Sequence, residues 1–79
     1  MTYQRRSKVA AGEVRAFLGR NRLSITDLSV ATGIKLSTLN SRLLLKTDFT
    51  IDDLDKIARY FGVTVNDLIT EPVRVEVAS

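Results

Sequence analysis

The sequence contains no cysteine and no histidine, a single proline and four glycines. Without cysteine there is neither a disulfide framework nor thiol chemistry. Without cysteine or histidine the usual protein ligands of zinc are missing, and catalysis would have to rest on carboxylates, hydroxyls or lysine alone. The chain is therefore read as non-enzymatic, with no metal site and no cofactor. No apolar run approaches the roughly 18 to 20 residues that span a bilayer, and the N-terminus has no apolar stretch of the kind a signal peptide carries. The expectation is a cytoplasmic protein without membrane contact.

What is present is 79 residues, 44% hydrophobic and 27% charged, enough for one small globular domain and no second core. The net charge of +3 hides an uneven distribution. Residues 1–46 hold nine Lys and Arg against Glu13 and Asp27, a balance of +7, whereas residues 47–79 hold three against seven acids, a balance of −4. Such an asymmetry fits a protein that turns one face toward a polyanion.

Cap and stop signals divide the chain into five short helical segments and a tail. Ser7 is placed to cap a first helix in which Ala10, Val14, Phe17, Leu18 and Asn21 recur at helical spacing, and Asn21-Arg22 ends it. Ser24 precedes a second segment, Ile25 to Ala31, with Asp27 at the capping-box position and Gly33 as its left-handed stop. A third segment runs from about Leu36 to Leu44, with Leu39 and Leu43 one turn apart on the buried side. Thr50 opens an amphipathic helix with the stripe Ile51, Leu54, Ile57, Ala58 and Phe61, and Gly62 closes it. Asp52 and Asp53 fall in its first turn, where the helix dipole favours negative charge, so the trio they form with Asp55 is not read as a metal cluster. Thr64 caps a last helix anchored by Leu68 and Ile69, with Asp67 at its capping-box position, before Glu71-Pro72 stops the helical part. Beyond it, Val73, Val75 and Val77 alternate with Arg74 and Glu76 at the period of a half-buried strand. Leu43, Leu44 and Leu45 cannot all face inward, because successive helical residues are about 100° apart. Those left outside either join a satellite cluster with Phe49 or form a partner surface.

Two short helices around a tight turn at Gly33 fit the plan of a helix-turn-helix, whose second helix presents its N-terminal residues to base edges in the major groove. Lys35, Ser37, Thr38, Asn40 and Ser41 supply the small and polar side chains that position requires. Several segments in order carry a wider resemblance. These are Leu23-Ser24, Asp27-Leu28, Ala31-Thr32-Gly33-Ile34, Ser37-Thr38-Leu39, Phe49 to Leu54, Ile57 to Val63 and Val65 to Ile69. Over residues 7–70 the chain resembles the helix-turn-helix domains of phage repressors and Cro proteins, the Xre-like class.

That resemblance implies an all-α, five-helix, lambda-repressor-like DNA-binding domain, to which the sequence pattern adds a short C-terminal β-strand. The expected layout is a basic N-terminal arm over residues 1–6, the helix-turn-helix domain over 7–70 and a strand-like tail over 71–79. It further implies that Leu36, Ser37 and Ser41 read bases, with Asn40 beside them. Phosphate contacts are expected from Ser24 and Thr26, from Lys35, and from Arg42, Lys46 and Thr47 around the end of the third helix. The arm residues Arg5 and Arg6, together with Lys8, would lie on phosphates or enter the minor groove. Val73, Val75 and Val77 would pair with the same strand of a second copy to make a homodimer on a palindromic operator. Double-stranded DNA is the expected partner, with no small-molecule ligand, and the expected activity is that of a compact transcriptional repressor that occludes a promoter in a bacterial host. The alternatives are a protein-interaction module of antitoxin or anti-repressor type, and an architectural or excision protein. The chain departs from the family pattern in three places. Ile25 stands where many members carry a polar residue after the cap of the second helix. Leu18 and Leu43 stand where members often carry an Arg and Glu pair. Leu45 stands where the third helix usually stops on glycine, so that helix is expected to run on or to end differently.

Overall fold

A computed structural model describes the backbone of residues 2–70 and the side chains of residues 6–70. It contains five α-helices in chain order: α1 (Thr2–Arg20), α2 (Ile25–Thr32), α3 (Leu36–Leu43), α4 (Ile51–Phe61) and α5 (Val65–Ile69). No strand occurs among the described residues, and the tail expected to pair through Val73, Val75 and Val77 lies outside them. No helix of the described residues is long and apolar enough to cross a membrane.

One core serves all five helices. Ala10, Val14 and Leu18 of α1 meet Leu28 of α2, Leu39 and Leu43 of α3, Leu54, Ile57 and Phe61 of α4 and Leu68 of α5, all buried. Phe17 completes the seam from α1 by stacking on Phe61, with ring centroids 3.7 Å apart and planes inclined by 14°. Leu18 and Leu43, expected to stand in place of an Arg and Glu pair, are both core residues, and an apolar pair suits a dry site at least as well as buried charges do. The expected α4 stripe holds except at its first member. Ile51, which opens α4 and has no preceding turn of that helix beside it, is 66% exposed.

The first helix also begins earlier than its sequence signals suggest. It extends back to Thr2, so residues 2–6 are helical and Ser7 is not a cap. The Ser7 hydroxyl is buried inside the fold and accepts the backbone N–H of Phe49 at 3.1 Å, a bond across 42 residues. Phe49 is itself wholly buried in the main core, not in a satellite cluster with the leucines that precede it.

Helix starts follow one local rule. Ser24, Thr50 and Thr64 each accept the amide of an aspartate three positions on, and Asp27, Asp53 and Asp67 each accept the cap residue's amide in return. Among α2 to α5, α3 alone has no side-chain cap, since Lys35 occupies its N-cap.

Helix ends follow a second rule. In α1, α3 and α4 the last turn closes with a bond between residues five apart: Leu23 N–H to the Leu18 carbonyl, Lys46 to Ser41, and Val63 to Ala58. This closure needs a left-handed residue just before the donor. Gly62 supplies it for α4 at φ 75°, but Arg22 and Leu45 adopt it at φ 54° and 60°. The third helix therefore does not run on past Leu43 but stops with a left-handed residue, as a glycine would stop it, although Leu45 has the wrong side chain for the conformation. An apolar clasp accompanies the motif in α1 and α4, where Leu18 and Ala58 are buried and Leu23 and Val63 pack on the core. In α3 the equivalent pair is Ser41 and Lys46, which provide no such clasp.

Left-handed backbone costs a β-carbon-bearing residue roughly 1 to 2 kcal/mol. Leu45 is 44% exposed and returns only part of that through packing. Leu45→Gly is therefore expected to stabilise the protein by about 1 kcal/mol, a rise of roughly 4 to 8 °C in Tm for a domain of this size. A thermal melt showing an equal or lower Tm would remove the strain argument.

The capping carboxylates make stability depend on acid. Asp27 and Asp67 are held below the ordinary aspartate value by the amides of Ser24 and Thr64 and then by their hydroxyls. At Asp53 burial is the largest single influence and pulls upward, but the bonds from Arg42 and Thr50 and the Arg42 charge together outweigh it, leaving the carboxyl lowered. Folded values below the unfolded one mean that this stability is complete above about pH 3.9 and is lost as pH falls through the folded values. With no histidine in the chain, no side chain ordinarily titrates between about pH 5 and 8. Tm should stay level across that range and drop below about pH 4, with a smaller drop in Asp53→Asn. A Tm that stays level into strong acid would contradict the assignment.

Candidate nucleic-acid interface

The turn between α2 and α3 is stitched so that the two helices hold one mutual orientation. Gly33, at φ 78°, donates its N–H to the Ser29 carbonyl at 2.9 Å. The Thr32 hydroxyl donates to the Leu28 carbonyl at 2.7 Å and accepts the Ile34 N–H at 3.3 Å. From the other side Ser29 donates its hydroxyl to the Ile34 carbonyl at 2.6 Å. Ile34 is buried between them and pins the turn to the core. Ser29 had no place in the sequence reading, because its bond depends on a chain reversal that spacing alone does not reveal.

On α3 the buried residues are Leu39 and Leu43; Leu36, which shares their stripe, is 40% exposed where the helix begins, Ser37 and Asn40 lie in the open, and Ser41 is half-buried. Of the four residues expected to read bases, Ser37 and Asn40 are neighbours on the exposed side of α3, Leu36 flanks them at the helix start, and Ser41 is half-buried at their other edge. Leu44, one turn beyond Asn40 and 58% exposed, extends that side past the helix end. At the other end the missing cap leaves the first amides of α3 without a side-chain acceptor, next to the exposed Lys35. Unsatisfied N–H groups and the positive end of the helix dipole both favour an acceptor from outside.

The N-terminus of α2 is built differently. Ser24 and Thr26 are exposed, as their expected role requires, but the Asp27 carboxylate already accepts the Ser24 amide at 2.8 Å. That amide is closed to an external anion, whereas the amides of Ile25 and Thr26 at the helix start, with the Ser24 and Thr26 hydroxyl protons, donate to no acceptor among the described residues.

The segment after α3 is fastened at several points. The Ser41 carbonyl accepts the amides of both Lys46 and Thr47, at 2.9 and 3.3 Å. Arg15 reaches from α1 to the Leu43 carbonyl at 2.9 Å and satisfies part of the helix C-terminus with a cation. Arg42 places its Nε–H on Asp53 Oδ2 at 2.8 Å and Nη1 on the Thr47 hydroxyl oxygen at 2.6 Å. Named from the sequence as a phosphate contact, Arg42 has its first bonds inside the protein, with a side chain only 18% exposed. Asp53 as its partner went unseen, although its spacing from Thr50 matches that of the two capping boxes legible in the sequence. Lys46 and Thr47 are exposed, and neither Lys35 nor Lys46 forms an ion pair among the described residues.

The acids of α4 are each matched locally: Asp52 with Lys56 and Asp55 with Arg59, both at 3.1 Å, and Asp53 with Arg42. Arg6 and Lys8 are exposed on α1, not on an extended arm, and no bond among the described residues ties them to the α2 and α3 pair. Arg5 also belongs to α1.

A family model described as the Cro/C1-type HTH DNA-binding domain matches residues 13–71, most of the chain. No curated protein and no solved structure matches it. The matched span includes the stitched turn, the exposed side of α3 and the fastened segment after it, and the chain belongs to the Cro/C1-type helix-turn-helix DNA-binding domain family.

Proposed function

We propose that this protein is a sequence-specific regulator of transcription that binds double-stranded DNA as Cro proteins and compact repressors do. The observation that carries the reading is the composition of α3 outside its buried stripe, Ser37, Asn40 and Ser41 with Leu36 at the start of an uncapped helix, bounded by Lys35 and Lys46, which pair with no acid among the described residues. An asparagine side chain pairs bidentately with adenine, serine donates to or accepts from several bases, and an apolar residue at the position of Leu36 meets a thymine methyl. Lys35, Lys46, Ser24, Thr26 and Thr47 then set register on the phosphates without reading sequence. Two copies related by a two-fold axis would put two such helices in successive major grooves, about 34 Å apart, on a palindromic operator. Bound there, the protein represses by covering a promoter.

Exposure of Leu44 and Leu45 at the end of α3 favours a second reading, in which the same fold binds a protein partner through an apolar surface. Salt separates the two. For DNA binding, log K falls with log salt by about 0.9 for each phosphate neutralised, whereas an apolar partner surface gives little dependence.

Selection of bound sequences from random duplex DNA is expected to return a palindromic motif. On that motif Asn40→Ala should cost about 1 to 3 kcal/mol and leave random DNA unaffected. Lys46→Ala should weaken both DNAs alike and reduce the salt slope by about 0.9. Titrations in which Asn40→Ala loses cognate and random DNA equally would take the reading role away from α3.

A further inference from the structure

The bonds around Thr47 point past the fold to a proton donor aimed outward. Arginine has five N–H donors and no acceptor, so at 2.6 Å from Arg42 Nη1 the Thr47 oxygen must be accepting. A hydroxyl has one proton, and here that proton cannot be directed at the guanidinium. No bond among the described residues uses it, including any to the neighbouring Asp48. The backbone does not compete for an external acceptor either, because the amides of Lys46 and Thr47 are both taken by the Ser41 carbonyl.

The guanidinium is itself held in place. Asp53 Oδ2 accepts Arg42 Nε–H at 2.8 Å and the Thr50 amide at 3.1 Å, while the Asp53 amide donates to the Thr50 hydroxyl at 3.0 Å. Asp53 is therefore fixed on the first turn of α4, and Arg42 is fixed between it and Thr47. A cation donating to a hydroxyl oxygen draws charge from it and strengthens the hydroxyl as a donor, the more so in a connected chain.

We propose that Asp53 and Arg42 form a positioning relay that orients and polarises the Thr47 hydroxyl as a neutral phosphate donor, so that Arg42 supports DNA binding through Thr47 and not by touching the backbone. The proposal rests on the DNA-binding reading above. It makes a prediction opposite in sign to simple electrostatics. Removing the Asp53 charge makes the protein more basic, which by itself tightens binding to a polyanion. Through the relay the same change loosens it.

The test is equilibrium binding to duplex DNA across a salt series, with thermal melts to confirm that each variant is folded. Thr47→Val, which keeps the shape and loses the hydroxyl, is expected to bind about tenfold more weakly with an unchanged salt slope, and Thr47→Ser to restore binding. Asp53→Asn should bind several-fold more weakly than wild type. Asp67→Asn removes an equivalent capping carboxylate from α5, away from the relay, and should bind no more weakly than wild type. Thr47→Val combined with Asp53→Asn should be about as weak as Thr47→Val alone, because both changes interrupt one route. The relay is overturned if Thr47→Val binds as wild type, if Asp53→Asn matches Asp67→Asn, or if the two losses multiply. Arg42→Gln with a salt slope reduced by about 0.9 would mark Arg42 as a direct phosphate contact and overturn it as well. Wild-type protein that shows no salt-dependent binding to any duplex would remove the DNA-binding reading itself, an outcome distinct from all of these.

Discussion

The ion pair between Arg42 and Asp53 is the contact on which the placement of α3 and the segment after it depends. It joins the last turn of α3 to the first turn of α4, so one bond sets the direction in which both helices leave the intervening segment. Both side chains are largely removed from water. A buried pair contributes little net stability once desolvation is counted, but losing either partner strands the other charge at high cost. Such a pair specifies an arrangement more than it strengthens it. Here the arrangement is the position of Lys46 and Thr47 relative to α3, reinforced by the two amides on the Ser41 carbonyl and by Phe49 with its amide on Ser7.

The ends of α3 show a conflict between stability and use. Its start has no side-chain cap and its stop places a leucine in left-handed backbone, while α2, α4 and α5 start with full capping boxes and α4 stops on glycine. The apolar clasp that helps close α1 and α4 is replaced in α3 by Ser41 and Lys46. An apolar pair at Ser41 and Lys46 would clasp the helix end but would offer a polyanion neither a donor nor a charge. Local rules are broken together at the element whose open face carries the polar residues, which is where a functional constraint would be expected to override them.

Much of the fold was legible because its signals are local. Ser24 with Asp27 and Thr64 with Asp67 mark helix starts by a side chain bonding three residues along, and Gly33 and Gly62 mark stops by a conformation that glycine adopts freely. Leu39, Leu43, Leu54, Ile57, Phe61 and Leu68 declare the core by helical spacing. Ser7 was misread as a cap for the same reason that the others were read well. Its residue type suits a cap, but its actual partner is 42 positions away. Nothing in the spacing around Ile51 indicates that its side chain leaves the stripe its neighbours form.

By itself the sequence determined the number of helices, where four of them start, most of the stripe that faces inward and the polar residues of α3, since each follows from contacts within a turn or two of chain. Only the tertiary structure decided that Arg42 meets Asp53 and Thr47, that Arg15 closes the end of α3, that Ser29 holds the turn, and that Leu44 and Leu45 stay outside while Phe49 goes in. Those outcomes depend on which elements come together in space. Side chains that can serve equally as a surface cation, a cap or a core filler take one role only when packing brings a particular acceptor or cavity within reach.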